Sequence, residues 1–167
     1  YGRRPLVKKN DPPKNVIRLN TEQQKSITKN KDIFYRSLNR SLREESIFIQ
    51  SADFTDDEIS MTIAQNRFRS YPRAIGRATR IASALSDDSV KTIRVTPMNG
   101  DSEVYSVEFR KKDFDLMDNN KISNSELYRK IKIFSSNPES YKNHKFQPEV
   151  KFPEIFFNMS PSLRHQI

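Results

Sequence analysis

The sequence has no cysteine and only three glycines in 167 residues. Without cysteine there can be no disulfide framework, zinc–thiolate site, iron–sulfur cluster or cysteine nucleophile. Three glycines leave no room for a phosphate-binding loop or a dinucleotide fingerprint, and no Gly-x-Ser-x-Gly elbow is present. The two histidines, His144 and His165, stand far apart without metal-ligand spacing and read as surface residues. No apolar run approaches the roughly 20 residues of a membrane-spanning helix, and no signal peptide is recognisable. The opening Tyr1-Gly2-Arg3-Arg4-Pro5 lacks a starting methionine, so a mature chain or a fragment is expected. Apolar residues are scarce at 34%, against roughly 45–50% by a slightly broader count in ordinary globular chains. A modest core is expected, not one that runs the whole length.

Charge is abundant. The formal net charge is +9, which raises nucleic acid as a partner. Its distribution argues otherwise. Residues 1–46 carry 12 Lys/Arg and 5 Asp/Glu; residues 47–118 carry 10 and 12; residues 119–167 carry 8 and 4. The best-patterned stretch is slightly acidic, and the flanks hold the excess. Basic flanks suit anionic polymers, head groups or acidic proteins equally.

Along the chain, prolines 5, 12 and 13 and lysines 8, 9 and 14 make residues 1–30 an irregular basic flank, with Val16–Leu19 a possible short strand. Thr21 can cap a helix, but the reliable helix is near 32–44, where Asp32 is a start signal and Phe34, Leu38 and Leu42 form one stripe. Ile47-Phe48-Ile49 reads as a strand and Thr55-Asp56-Asp57 as a turn. Ile59, Met61 and Ile63 then alternate with Ser60 and Thr62, as an antiparallel strand with one buried face does. Pro72 opens the clearest amphipathic helix, with Ala74, Ile75, Ala78, Ile81, Ala82 and Leu85 recurring at helical spacing. Its small residues Gly76, Ala78 and Ala82 would allow close approach to a sheet. A hairpin follows, Thr92–Pro97 and Val104–Phe109 about an Asn99-Gly100-Asp101 turn, and Asp113 can cap a short helix. Residues 119–149 read as a linker with a short helix after the capping box Ser123–Glu126. Residues 150–167 hold a strand, Ile155–Met159, leading out of the module. The expected fold is α+β: residues 31–118 form a two-layer module, an antiparallel sheet with helices on one face, in the order helix-β-β-α-β-β.

Candidate sites are few. Arg73, Arg77 and Arg80 recur at i, i+4, i+7 on the central helix, with Arg67 and Arg69 just before it. They form either an anion-binding ridge for phosphate, carboxylate or uronate, or the solvated face that any amphipathic helix carries. Asp53, Asp56, Asp57 and Glu58 lack the alternate spacing and central glycine of a calcium loop and read as a charged turn. Asp87-Asp88 and Asp113/Asp115 invite acid–base chemistry, but each sits at a helix boundary, where carboxylates are common. Tyr141, Phe146, Phe152, Phe156 and Phe157 lie among lysines, an arrangement that can stack on bases or sugars or form a strand face. No metal, cofactor or catalytic group emerges.

One ordered set of segments resembles a known family. Asn66-Arg-Phe-Arg-Ser-Tyr-Pro-Arg-Ala-Ile-Gly-Arg-Ala-Thr-Arg-Ile-Ala82 resembles the Ala-(Ile/Leu)-Gly-Arg-Ala-x-Arg helix of the YjbH/GfcD family. Asp88-Ser-Val-Lys-Thr-Ile-Arg-Val-Thr-Pro-Met-Asn-Gly100 and Val104-Tyr-Ser-Val-Glu-Phe-Arg-Lys-Lys-Asp-Phe114 are similar to its following hairpin. Phe157-Asn-Met-Ser-Pro-Ser-Leu-Arg164 resembles the segment entering its barrel. The resemblance covers residues 34–118 and 150–167. It implies a soluble module on the periplasmic side of an outer-membrane β-barrel protein linked to exopolysaccharide or group 4 capsule secretion in Gram-negative bacteria. The implied partners are polysaccharide or other envelope export proteins, with the outer membrane reached through a barrel part absent from this chain. No catalytic residue is implied, and nucleic acid becomes the alternative partner, held by the basic flanks.

Overall fold

The computed structural model describes residues 19–135, 140–149, 151 and 152. The expected strands at Val16–Leu19 and Ile155–Met159 fall largely or wholly outside these residues. Two helices come first, α1 (Thr21–Lys29) and α2 (Lys31–Glu44). Their start signals are the asparagines preceding the expected Thr21 and Asp32. The Asn20 side chain accepts from the Gln23 N–H at 2.8 Å, and Asn30 accepts from Asp32 and Ile33. An asparagine amide oxygen at the cap reaches the orphan N–H groups of the first turn, so Asn30 closes one helix and opens the next. Phe34, Leu38 and Leu42 are buried on α2, which packs on the first strand. Full burial of one such leucine contributes roughly 1.5–3 kcal/mol.

Strands β1 (Ile47–Phe54) and β2 (Glu58–Gln65) form an antiparallel hairpin with a register shift between Ile49 and Ser51. The extra residue restores alternation, so Ile47 and Ile49 before it and Ala52 and Phe54 after it all enter the core. Helix α3 (Tyr71–Leu85) crosses to β3 (Thr92–Asn99), which runs parallel to β2 from Glu58↔Thr92 to Ile63↔Pro97. The antiparallel expectation therefore holds for every strand pair except this one. A helix returning the chain over the sheet leaves the next strand pointing the same way. Ala74, Ala78 and Ala82 are wholly buried and let α3 sit close to the sheet. Gly76 has no such role: a Cβ there would meet nothing within 4 Å.

After the turn, where Gly100 takes φ +59°, come β4 (Ser102–Glu103) and β5 (Tyr105–Arg110), both antiparallel to β3. Helix α4 (Lys111–Asp118) is capped by Arg110, three residues before the expected cap Asp113, and the Arg110 side chain makes no capping bond. In the region expected as a linker, the Ser123–Glu126 capping box starts helix α5 (Asn124–Lys130), and β6 (Lys132–Ser135) then pairs with β5. The sheet order is β1-β2-β3-β5-β6, with β4 beside β3. Helix α3 packs on β3 and touches α1, α2 and α4, so the helices form one layer over the sheet. The α+β expectation is met.

Residues 140–149 return to the free edge of β1. The backbones of Ala52 and Phe146 exchange hydrogen bonds of 2.8 and 2.9 Å. The Phe146 ring lies 5.1 Å from both Tyr35 and Phe54, and Phe152 stacks on Phe48 at 4.3 Å. These two aromatics close a sheet edge; they form no open stacking surface for bases or sugars.

Candidate functional site

The structure divides the five arginines. Glu45 caps the C-terminus of α2, two residues before β1, and its side chain is buried. Arg77 Nη1 reaches it at 3.0 Å from α3, and Arg67 Nη1 at 3.3 Å from the β2–α3 connection. The side chains of Glu45 and Arg77 are 4% and 9% exposed. Arg67 and Arg77 also lie 5.7 and 5.4 Å from the centre of the Phe68 ring, whose face attracts cations. The cationic form also suits the carbonyl end of α2. Burial pushes the Arg77 pKa down, Glu45 opposes it, and the neighbouring Arg67, Arg80 and Arg73 add to it. Arg77 is thus a buried tie between α2 and α3. Arg80 donates to Asp118 at 2.6 Å and fastens α4 to α3. Arg69 is exposed and Arg73 half-buried. The ridge drawn from helical spacing therefore has Arg77 turned inward. Its partner Glu45 lies 32 residues away, and no local pattern connects the two.

Of the paired carboxylates, Asp113 and Asp115 face different partners. Asp113 accepts from Lys130 at 2.9 Å. Asp115 accepts from the Ser83 hydroxyl and from Lys111 at 3.0 Å. Asp88 lies 3.8 Å from Lys111. These carboxylates join α4 to its neighbours and form no acid–base pair with each other. Among the described residues no group of three or more His, Cys, Asp or Glu could hold a metal ion.

The sheet face away from the helices is polar. Arg94 on β3 lies 2.7 Å from Glu108 and 3.5 Å from Glu58, with Lys132 2.9 Å from Glu108. Burial pulls the Glu108 pKa up, but the hydrogen bonds from Arg94 and Lys132 outweigh it, and the carboxyl titrates below its usual range. At the β1 end of this face, His144 Nδ1 lies 2.8 Å from the Ser51 hydroxyl. His144 is half-buried, not the surface histidine expected; His165 lies outside the described residues. Burial pushes the His144 pKa down from 6.5, against Asp53 and Glu103, and Arg94 adds to the fall. A serine beside a histidine suggests a nucleophile, but Ser51 is fully buried, so no substrate carbonyl can reach it.

On the helical side an apolar groove of about 270 Å³ runs between α3, β5, α4 and α5. Ile75, Tyr105, Phe114 and Leu127 line it, with Tyr128 and Ile133 exposed at its rim. Among the described residues no helix is long and apolar enough to cross a membrane.

The model of the YjbH family, described as exopolysaccharide biosynthesis protein YbjH, matches residues 3–167. No curated protein and no solved structure matches the chain.

Proposed function

The chain belongs to the YjbH family of exopolysaccharide biosynthesis proteins, and from that membership we propose that it is a non-enzymatic module of an exopolysaccharide or capsule export protein. It works on the periplasmic side of the outer membrane as a scaffold or as an interaction domain for the polymer and other export proteins. The barrel that would anchor it lies elsewhere in the parent protein. The observation that carries this reading is the family match over nearly the whole chain. The architecture is consistent with it. The buried cationic side chains are paired: Arg77 with Glu45 between α3 and the end of α2, and Lys111 with Asp115 one turn along α4. A general acid or nucleophile needs an open path to substrate, which paired and buried groups lack.

Nucleic-acid binding through the basic flanks is the competing reading. It loses two of its five expected stacking rings, because Phe146 and Phe152 pack against Tyr35, Phe54 and Phe48. The test is a strain in which the codons for this chain are removed in frame from the parent gene. Secreted polymer should fall while polymer accumulates inside the cell. Unchanged secretion would refute the export role. Loss of polymer both inside and outside, together with turnover of activated sugars by the purified chain, would make it a synthetic enzyme.

A further inference from the structure

A second cationic cluster lies at the opposite end of α3 from Glu45, built from residues distant in the chain. Lys91 precedes β3 and Arg110 ends β5. The backbone N–H of Lys111 donates to the Lys91 carbonyl at 2.8 Å, and Thr92 pairs with Arg110, so these residues meet across two strands. Lys111 and Lys112 then begin α4. Lys121 is brought in by the end of that helix. Asn120 takes φ +58°, its N–H donates to Met117 and that of Lys121 to Leu116, the two bonds of a Schellman turn. The five cations line one open groove of about 720 Å³ with only two carboxylates, Asp88 and Asp115.

Both carboxylates are engaged with Lys111, which is buried. Lys91, Arg110, Lys112 and Lys121 are exposed, and among the described residues none has an ion-pair partner. Their placement is electrostatically unfavourable as it stands. Arg110, Lys111 and Lys112 occupy the cap and first two positions of α4, where the helix dipole favours anions. Four unpaired cations converging on one concavity raise the local concentration of anionic ligands.

We propose that this groove binds an acidic polysaccharide, with Lys91, Arg110, Lys112 and Lys121 contacting successive uronate carboxylates or other anionic substituents of the polymer. The proposal rests on the export-module reading for its choice of polymer. No aromatic ring lines the groove, so it has no platform for stacking neutral sugar rings or nucleic-acid bases, and recognition falls to charge. Lys111 sits at the floor, held by Asp115, which also accepts from the Ser83 hydroxyl.

The test is calorimetric titration of the chain with polygalacturonate at low salt, with dextran as the neutral polymer and single-stranded DNA as the competing polyanion. The Lys91→Gln/Lys112→Gln/Lys121→Gln variant removes exposed charge only and should keep the parental circular dichroism. Loss of three exposed contacts should weaken polygalacturonate binding about tenfold or more. The Arg69→Gln/Arg73→Gln variant should bind as the parent does, and dextran should give no heat. Undiminished binding by the triple variant, or no polygalacturonate binding by the parent, overturns the proposal. Tighter binding of DNA than of polygalacturonate, lost in the same variant, assigns the groove to nucleic acid and also overturns it. In the export assay, normal secretion with the triple variant but not with the in-frame deletion would refute the groove and leave the module reading standing.

Discussion

Arg67 and Arg77 close on Glu45 between two helices, whereas Lys91, Arg110, Lys112 and Lys121 close on no carboxylate among the described residues. Both clusters gather around helix termini. The first puts cations at the carbonyl end of α2, where the dipole welcomes them; the second puts cations at the amide end of α4, where it repels them. The first is dry and the second open. Similar side chains thus serve cohesion at one site and leave uncompensated charge at the other. Charge that lowers the stability of a helix start is better explained by a ligand than by folding.

The largest expected effect breaks the first cluster. Arg77→Ala leaves Glu45 buried with Arg67, and should destabilise the chain by about 3 kcal/mol in urea unfolding, the low end for a severed buried pair. Glu45→Leu combined with Arg77→Met should recover most of that loss, since a well-packed apolar pair can replace a buried ion pair. A loss below about 0.5 kcal/mol for Arg77→Ala, the scale of ordinary surface substitutions, would place Arg77 with the exposed cations and abolish the contrast.

The polar sheet face yields an intermediate effect. The His144 pKa lies below its unfolded value of 6.5 because burial disfavours the imidazolium. Its contribution is therefore fully present above pH 6.5 and is lost as pH falls from there through the lower folded value. Once protonated, Nδ1 can only donate, and the Ser51 hydroxyl must then accept. Hydrogen-exchange protection of the Ala52 and Phe146 amides, relative to the intrinsic rate at each pH, should fall on acidification through this range, ahead of protection at Val95. Ser51→Ala should cost about 1 kcal/mol and reduce that acid sensitivity. A uniform fall of protection across the sheet would show that His144 does not hold this edge.

The smallest effects belong to the second cluster, and they are what set it apart. Lys121→Ala should change stability by less than about 0.5 kcal/mol, as surface substitutions do. Lys112→Glu places an anion in the first turn of α4 and should raise the melting temperature, by about 0.3–1 kcal/mol in stability, while weakening polygalacturonate binding. A gain in stability with a loss of binding is the expected mark of a site where folding and recognition conflict. A lowered melting temperature would remove the argument from the dipole.

Period and punctuation in the sequence located α2, β1, β2, α3, the Gly100 hairpin and the Ser123 helix, because each is specified by neighbours within a few residues. The caps Asn20 and Asn30 are also local signals, one residue before Thr21 and two before Asp32. Strand β6 was not readable: Lys132-Ile133-Phe134-Ser135 is exposed throughout and owes its extended form to pairing with β5. The arginine spacing on α3 was visible, but not which arginine turns inward, since that depends on where α2 ends in space. The sequence by itself determined the alternation of apolar and polar residues, hence the elements, the α+β class and the family. Tertiary structure alone decided that β3 runs parallel to β2, that Glu45 receives Arg77, and that Lys91, Arg110 and Lys121 share a groove. Those outcomes join residues distant in the chain, and only chain crossing and burial bring their charges within range of one another.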